Sequence, residues 1–505
     1  MSIGGAFSIA KSGLADIGAN FAVMSQNIAN ANTPGYAREV TTQTSIAADG
    51  GGVKAGPTTR QIDTQLESEL FSENGTLSAL QTRLTALQQI DAVQGTPGGG
   101  GDLASLIGQL QDSFANLQTG PSNQASQAEV VNAASALTSQ INALSNSYTQ
   151  GRQNAQDTIM ADVGKLNSTL ATIGSLSDRI VGLKAAGQGT ADLENQRAQA
   201  MQSLSQVINV RFIEQPNGDM LAATTNGLSL PLHAATPPLA TQPATIGAGS
   251  SYPSTIPAIT LNGADVTSQL TGGEIGAAVT LRDTTLPTYQ GELDEFAETL
   301  SNRFDQQGLT LFTNPDGTIP PSGGAPVQSG YVGYAASITV NPAVAANPSL
   351  VRDGTHAVAG APAGASAFTP NPAGGPAGFS ATITRVLDYA LGANVQDGVP
   401  QPAPVTSGLG PNGNLSASYS APADLQSFAT AVVATESSDS AAARSQATTE
   451  QAVQTALQSK VSASGAVSID SEMSNMVQLQ NAYAANAKVI SALQSVWTEL
   501  LQMVP

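Results

Sequence analysis

The strongest constraint on this chain is a seven-residue apolar repeat that appears at both of its ends. From Ile3 the apolar positions run Ile3, Phe7, Ala10, Leu14, Ile17, Phe21, Met24 and Ile28, in alternating steps of four and three. That spacing predicts a single helix roughly 40 Å long at 1.5 Å per residue, with a narrow apolar seam rather than the broad face of a globular helix. Such a seam needs a partner helix. The far end supplies one: Ile469, Met473, Met476, Gln480, Tyr483, Ala487, Ile490, Trp497 and Leu501 follow similar steps, with Leu493 and Leu500 alongside, and Ser468 or Asp470 caps the start. Two such helices at opposite ends imply that the termini meet and that the middle of the chain is an outward excursion.

The middle divides by period. Helical spacing runs through Leu66, Leu70, Leu77, Leu80, Leu84, Leu87 and Ile90, stops at the glycine run before Asp102, resumes from Leu103 to Leu117, and continues from Val130 to Ile180. After residue 205 β-branched residues and the turn pairs Asn217-Gly218, Asn226-Gly227 and Asn262-Gly263 predict hairpins. A helix is expected over Glu274 to Gln307, interrupted near Pro287. From 311 to 418 Pro and Gly dominate, with strand candidates at Ser337 to Val340 and Ala381 to Val386, before helical spacing returns through Leu425, Phe428, Val432, Val453 and Leu457.

The expected fold is mainly α with an inserted β domain. Terminal heptad helices form a coiled-coil base, a long-helix bundle stands on it, and an outer β-rich domain completes the chain. In residue ranges this gives a terminal helix and turn over 1–40, a helical core over 41–205 and hairpins plus a helix joined to that core over 206–310. An inserted β-rich domain follows over 311–418, then a helical return over 419–466 and a second terminal helix over 467–505. A length of 505 residues suits several domains rather than one core.

Composition removes several functions. The net charge of −19, from 37 acidic and 18 basic residues, opposes binding to a phosphate backbone, so no nucleic-acid partner is expected. Cys is absent, which excludes disulfides, thiolate nucleophiles and zinc-thiolate sites. No run approaches the roughly 20 apolar residues of a membrane span, so no membrane partner is expected. The first Lys is at position 11 and no apolar run with a small-residue cleavage site follows, so no removable signal peptide is expected.

Chemistry-bearing clusters are equally scarce. His233 and His356 stand in Pro- and Gly-rich surroundings without a local carboxylate cluster, which reads as loop histidine rather than ligand or general base. The run Gly98 to Gly101 lacks the Lys-Ser/Thr ending of a phosphate loop. Asn314-Pro315-Asp316-Gly317 lacks the alternating oxygen ligands of a calcium loop and reads as a turn. No catalytic residue, metal site or cofactor is expected.

The most specific segment is NIANANTPGYAREVTTQTS, Asn27 to Ser45, directly behind the first heptad helix. Pro34 disfavours helical geometry at Thr33 and Gly35 permits a turn that other residues resist, so the chain is redirected there. Tyr36 can pack its ring with its hydroxyl paired, and Arg38 can anchor to a carboxylate. This segment, with Asn27, Asn30, Asn32, Thr33, Pro34, Gly35, Tyr36 and Arg38 in place, resembles the signature of the flagellar rod, hook and hook-associated proteins. Passages beginning at Asp192, Thr271 and Ile338, and the terminal helix from Val467 with Tyr483, Ala484 and Asn486, resemble the hook-associated branch. Residues 231 to 260 and 355 to 418 show no clear match.

The resemblance implies a structural subunit of the hook–filament junction in the extracellular bacterial flagellum, needed for filament assembly and motility. Its implied partners are other copies of itself in an eleven-subunit ring, hook protein below, and a second junction protein and filament above. It further implies an export chaperone and passage through the flagellar type III apparatus. The residues expected to pack helices in assembly are Ile3, Phe7, Leu14, Ile17, Phe21, Met24 and Ile28 with Met473, Met476, Tyr483, Ile490, Leu493, Trp497 and Leu500. A hook or distal-rod subunit, and a secreted adhesin or enzyme on a coiled-coil base, are the alternatives. The last would show a deep polar pocket in the β region.

Overall fold

The structure is a computed structural model that describes residues 2–33, 35–46 and 51–503. Helix α1 (Ile3–Asn30) starts where the Ser2 hydroxyl accepts the Gly5 N–H at 3.1 Å. It is followed by an antiparallel ribbon, β1 (Glu39–Ser45) and β2 (Val53–Arg60), whose register shifts between Thr41 and Gln43. The ribbon lies along α1, where buried Asp16 accepts the Gln43 amide at 2.7 Å. The ribbon was not expected from the sequence, where residues 41–205 read as helical: its strands are rich in Thr, but Gly56 and Pro57 interrupt the strand pattern of the second.

The bundle follows. Asp63 caps α2 (Thr64–Gln94), and Asp102 caps α3 (Leu103–Thr119). Helix α4 (Gln124–Ala185) has 62 residues, and Val130, Leu137, Leu144, Ile159, Leu166, Leu170 and Ile173 on it are almost fully buried. Helix α5 (Ala191–Val207) returns along α4. Two small three-stranded sheets come next, β3 (Val210–Glu214), β4 (Met220–Thr224) and β5 (Ser229–Leu230), then β6 (Leu239–Ala240), β7 (Thr260–Leu261) and β8 (Ala264–Asp265). Their turns fall at Gly218, Gly227 and Gly263, all with positive φ.

Helix α6 (Gly273–Thr280) passes through a π-helical turn at Leu281–Thr285 into α7 (Leu286–Gln306). The interruption expected at Pro287 therefore lies just before it. Pro287 sits in the first turn of α7, directly behind the π turn, where its missing N–H leaves a carbonyl of the preceding turn without its helical donor; the Arg282 carbonyl accepts Arg152 Nε at 2.9 Å instead. The extra residue of the π turn turns the Arg282 side chain inward, where it is fully buried against Gln156 and Asp283.

Residues 311–418 depart most from expectation. Their strands β9 (Phe312–Thr313), β10 (Thr339–Val340), β11 (Asn394–Gln396), β12 (Val399–Pro400), β13 (Ser407–Leu409) and β14 (Leu415–Ser416) form two-stranded pairs too short to enclose a core of their own. Between them stand α8 (Pro342–Ala346), α9 (Leu350–Asp353) and α10 (Ala381–Arg385). The strand candidate Ala381 to Val386 is thus helical. Its β-branched residues Thr382, Ile383 and Val386 are buried at helical spacing, and burial outweighed propensity. The candidate Ser337 to Val340 keeps only Thr339 and Val340 as strand. Ile338, Val344, Val351, Ile383 and Val386 join the core cluster that contains Leu144, Phe296 and Phe428, so this region is built into the bundle rather than standing apart from it.

Helix α11 (Leu425–Ser464) then runs back along α2, and α12 (Ile469–Gln502) closes the chain against α1. Among the described residues no helix is long and apolar enough to cross a membrane.

Candidate assembly interface

The turn signature forms the neck at which both terminal helices join the body. Asn27, on the last turn of α1, is 1% exposed; its amide donates to the Glu39 carbonyl at 2.9 Å, and its Oδ1 accepts both the Glu39 N–H and the Tyr36 hydroxyl at 2.9 Å. Gly35 takes φ +76°, beside Gln199 and Gln202 of α5, a conformation that a Cβ would strain. Asn30 accepts the Thr33 hydroxyl at 3.3 Å, and Asn32 and Thr33 are exposed. Pro34 lies outside the described residues.

Arg38 ties the two ends together. Its Nε donates to Glu472 Oε1 at 2.6 Å, its Nη1 to Gln61 at 3.0 Å, and its backbone N–H to the Gly465 carbonyl at 2.9 Å, just before α12. Glu472 is 1% exposed and its other oxygen has no partner. Removing the Arg38 charge would leave a buried carboxylate uncompensated, a change that costs about 3–5 kcal/mol in a fully buried pair and less here, where Arg38 is partly exposed.

A residue that sequence reasoning passed over completes the neck. The buried Asn195 amide on α5 accepts the Ala37 N–H at 3.0 Å and donates to the Ala37 carbonyl at 3.1 Å, pairing with the chain as a strand would. Its Oδ1 also accepts Arg60 Nε at 2.9 Å, and Arg60 in turn bridges to Glu67 at 2.7 Å. Asn195 lies in the quoted passage from Asp192, but nothing in the sequence says that its amide meets residue 37. Burial, then the neighbouring charges of Asp192 and Glu194, push the Glu39 carboxyl up, against hydrogen bonds from Asn195 and Tyr36. Burial, then the charge of Glu39, pushes the Tyr36 phenol above its usual range, so it stays a neutral donor.

Above the neck α1 and α12 run antiparallel. Ile3 and Phe7 face Leu493 and Trp497 around an open cleft of about 600 Å³, and a Cβ on Gly13 would stand 3.1 Å from the Asn486 amide. Ile17 is buried, while Ile3, Leu14, Phe21, Met24 and Ile28 are half-buried. On α12, Met476, Ile490 and Leu493 are half-buried, but Met473, Tyr483, Trp497 and Leu500 remain exposed. So do Val477, Val489, Val496 and Leu501. Glu472 is the one buried residue of this helix. The pair therefore presents a long apolar band that α1 alone does not cover, and each such side chain stabilises an assembly by about 1.5–3 kcal/mol when fully buried.

Other candidate chemistry is structural. His233 lies in a loop between Asp178 and Asp219, and His356 beside Thr310 and Thr355. Among the described residues no group of His, Asp and Glu is arranged to hold a metal ion. A cleft of about 340 Å³ beside the short strands is lined by Glu295, Glu298, Tyr331 and Gln401. Its acids are structural: Glu295 holds two loops, accepting the Tyr331 hydroxyl at 2.6 Å and the Val405 N–H at 2.7 Å, and Glu298 accepts the Asn302 amide one turn along α7.

Three family models match the chain. The flagellar hook-associated protein FlgK helical domain matches residues 87–318, the flagellar basal body rod FlgEFG protein C-terminal model matches 458–503, and the flagella basal body rod protein model matches 7–36. Flagellar hook-associated protein 1 of Escherichia coli K12 is 27% identical over 314 residues, 59% of this chain and 56% of that protein. The protein of the same name from Salmonella typhimurium LT2 is 26% identical over 59% of this chain and 55% of its own length. That from Bacillus subtilis 168 is 23% identical over 40% and 42%. The chain thus spans about half the length of the curated relatives it matches, from 42% to 56%. Among solved structures, the flagellar hook junction protein FlgK from Burkholderia pseudomallei aligns with a TM-score of 0.38 and 23% identity, over 50% of this chain and 46% of that one.

Proposed function

We propose, for a chain that belongs to the family of flagellar rod, hook and hook-associated proteins, that it is a structural subunit of the flagellar hook–filament junction and not an enzyme. The observation that carries this reading is the terminal pair: two helices from opposite ends of the chain, clamped at one neck through Arg38 and Glu472, with apolar side chains along α12 left uncovered. A helix that exposes Met473, Tyr483, Trp497 and Leu500 is suited to burial against other copies of itself rather than against its own body.

The finer reading extends the resemblance. The subunits close into an eleven-membered ring on hook protein, with the terminal helices toward the central channel, and support a second junction protein and the filament. The chain reaches this place by chaperone-assisted export through the flagellar type III apparatus. Ile3, Phe7, Leu14, Ile17, Phe21, Met24 and Ile28 pack with Met476, Ile490 and Leu493 within a subunit, while Met473, Tyr483, Trp497 and Leu500 meet neighbouring subunits. The test is the position of tagged protein on isolated hook–basal bodies. A thin band at the distal end of the hook is expected; label along the whole hook or on the rod would assign a hook or rod subunit instead, and label absent from the flagellum would overturn the reading.

A further inference from the structure

Helices α2, α4, α7 and α11 cross in the middle of the bundle, far in sequence from the neck, and their crossing holds an excess of buried acid. Glu436 of α11 is 2% exposed and accepts hydrogen bonds from the Tyr148 hydroxyl of α4 and, at 2.8 Å, from the Gln94 amide of α2. Glu292 of α7 is fully buried, and no side chain donates a hydrogen bond to either of its carboxylate oxygens. The Tyr419 hydroxyl, from the segment leading into α11, is also buried without a partner and senses both glutamates.

The surrounding groups add negative charge. Asp91 of α2 accepts the Ser440 hydroxyl, Asp439 of α11 accepts the Tyr289 hydroxyl at 2.6 Å, and Glu295 of α7 is held by Tyr331. The cation beside this cluster, Arg83 of α2, is about a third exposed and lies 3.6 Å from Asp439, not against Glu292 or Glu436. Two carboxylates buried without a cation cannot both be charged, because desolvation and mutual repulsion then act together.

We propose that the first half of α11, Leu425 to Arg444, which packs on α2, α3 and α7, is docked by a proton-dependent latch, in which protonated Glu292 and Glu436 hold the helix in this crossing and ionisation releases it. Burial, outweighing the hydrogen bond from Tyr148 and reinforced by the charge of Glu292, pushes Glu436 up to about 8. Burial likewise pushes Glu292 up to about 7, although the Ser418 N–H pulls the other way. Both values lie above the ordinary 4.5, so the folded state holds protons that the unfolded chain gives up. The latch is fully closed below about pH 4.5 and is lost as pH rises through 7 to 8.

Asp162, Asp294 and Glu298 are pushed up to about 7 by burial as well, so a global melting curve would mix several groups and the test must be local. Amide hydrogen exchange of the full chain at pH 6 and pH 9, corrected for intrinsic rates, compares residues 425–444 with residues 130–144 of α4. Protection of 425–444 is expected to fall at least tenfold more than that of 130–144. In the Glu292→Gln, Glu436→Gln double variant, which mimics the protonated pair, the difference should shrink below twofold. Equal losses in the two segments, or an unchanged loss in the double variant, would overturn the proposal. Should the double variant not fold, the infrared difference spectrum between wild type and Glu292→Gln decides: a protonated-carboxyl band present at pH 6 and gone at pH 9 supports the latch, and its absence at pH 6 or persistence at pH 9 rejects it.

Discussion

Helices α4 and α12 carry apolar residues at similar spacing and meet opposite fates. On α4 nearly every seam position from Val130 to Ile173 is at or close to zero exposure, enclosed by α3, α5, α6 and α7 of the same chain. On α12 one residue is buried, and Trp497 is 55% exposed. A heptad announces that a helix wants a partner but does not say whether the partner lies in its own chain. What separates the two here is the supply of neighbours: the bundle surrounds α4, whereas among the described residues α12 packs mainly on α1.

That contrast breaks most visibly if the bundle is opened. Replacing residues 311–418 by a short linker would strip Ile338, Val344, Val351, Ile383 and Val386 from the shared core, at about 1.5–3 kcal/mol for each fully buried side chain. Cooperative melting by circular dichroism should be lost. A cooperative melt near the wild-type temperature would show that the region is a separable domain after all.

A smaller effect is expected at the neck. Asn195→Ala leaves the Ala37 N–H and C=O without their partner and should cost about 1–3 kcal/mol, concentrated near residues 31–40. Limited proteolysis should cut there sooner while the bundle stays resistant; unchanged cleavage would mean that the ribbon and Arg38 hold the neck without it.

The smallest effect on the monomer belongs to the terminal pair. The Leu493→Ala, Trp497→Ala double variant should lower monomer stability by only about 1 kcal/mol, since Leu493 is half-buried against α1 and Trp497 is more exposed than buried. In cells it should nonetheless release filament subunits to the medium and leave hook-bearing cells non-motile. A large fall in monomer melting temperature would place these residues in an intramolecular core, and normal swimming would remove their role in assembly.

Much of this contrast was legible in residues. The terminal heptads, the redirecting turn at Gly35 and the hairpin turns at Gly218, Gly227 and Gly263 are local signals with local causes. The fate of 311–418 was not legible, because a Pro- and Gly-rich stretch looks alike whether its few apolar residues face one another or a bundle elsewhere. The neck was half legible. Arg38 announced an anchor, and Glu472 stood in the first turn of α12, but their pairing joins positions 434 apart in sequence. The Asn195 clamp was hidden for the same reason. The buried acids of α7 were written in the sequence as well, but a helix bearing Glu292, Asp294, Glu295 and Glu298 reads as a solvated face until the neighbours that cover it are known.

The neck is also the base of a long lever. Helix α12 has 34 residues and ends at Gln502, so its tip stands roughly 45 Å from Glu472 at 1.5 Å per residue. A swing of only about 6° at that hinge carries Trp497, about 38 Å from Glu472, through roughly 4 Å, about the distance between two touching carbon atoms. The stiffness of a handful of hydrogen bonds around Asn27, Arg38 and Asn195 is thereby magnified into the aiming accuracy of the far end.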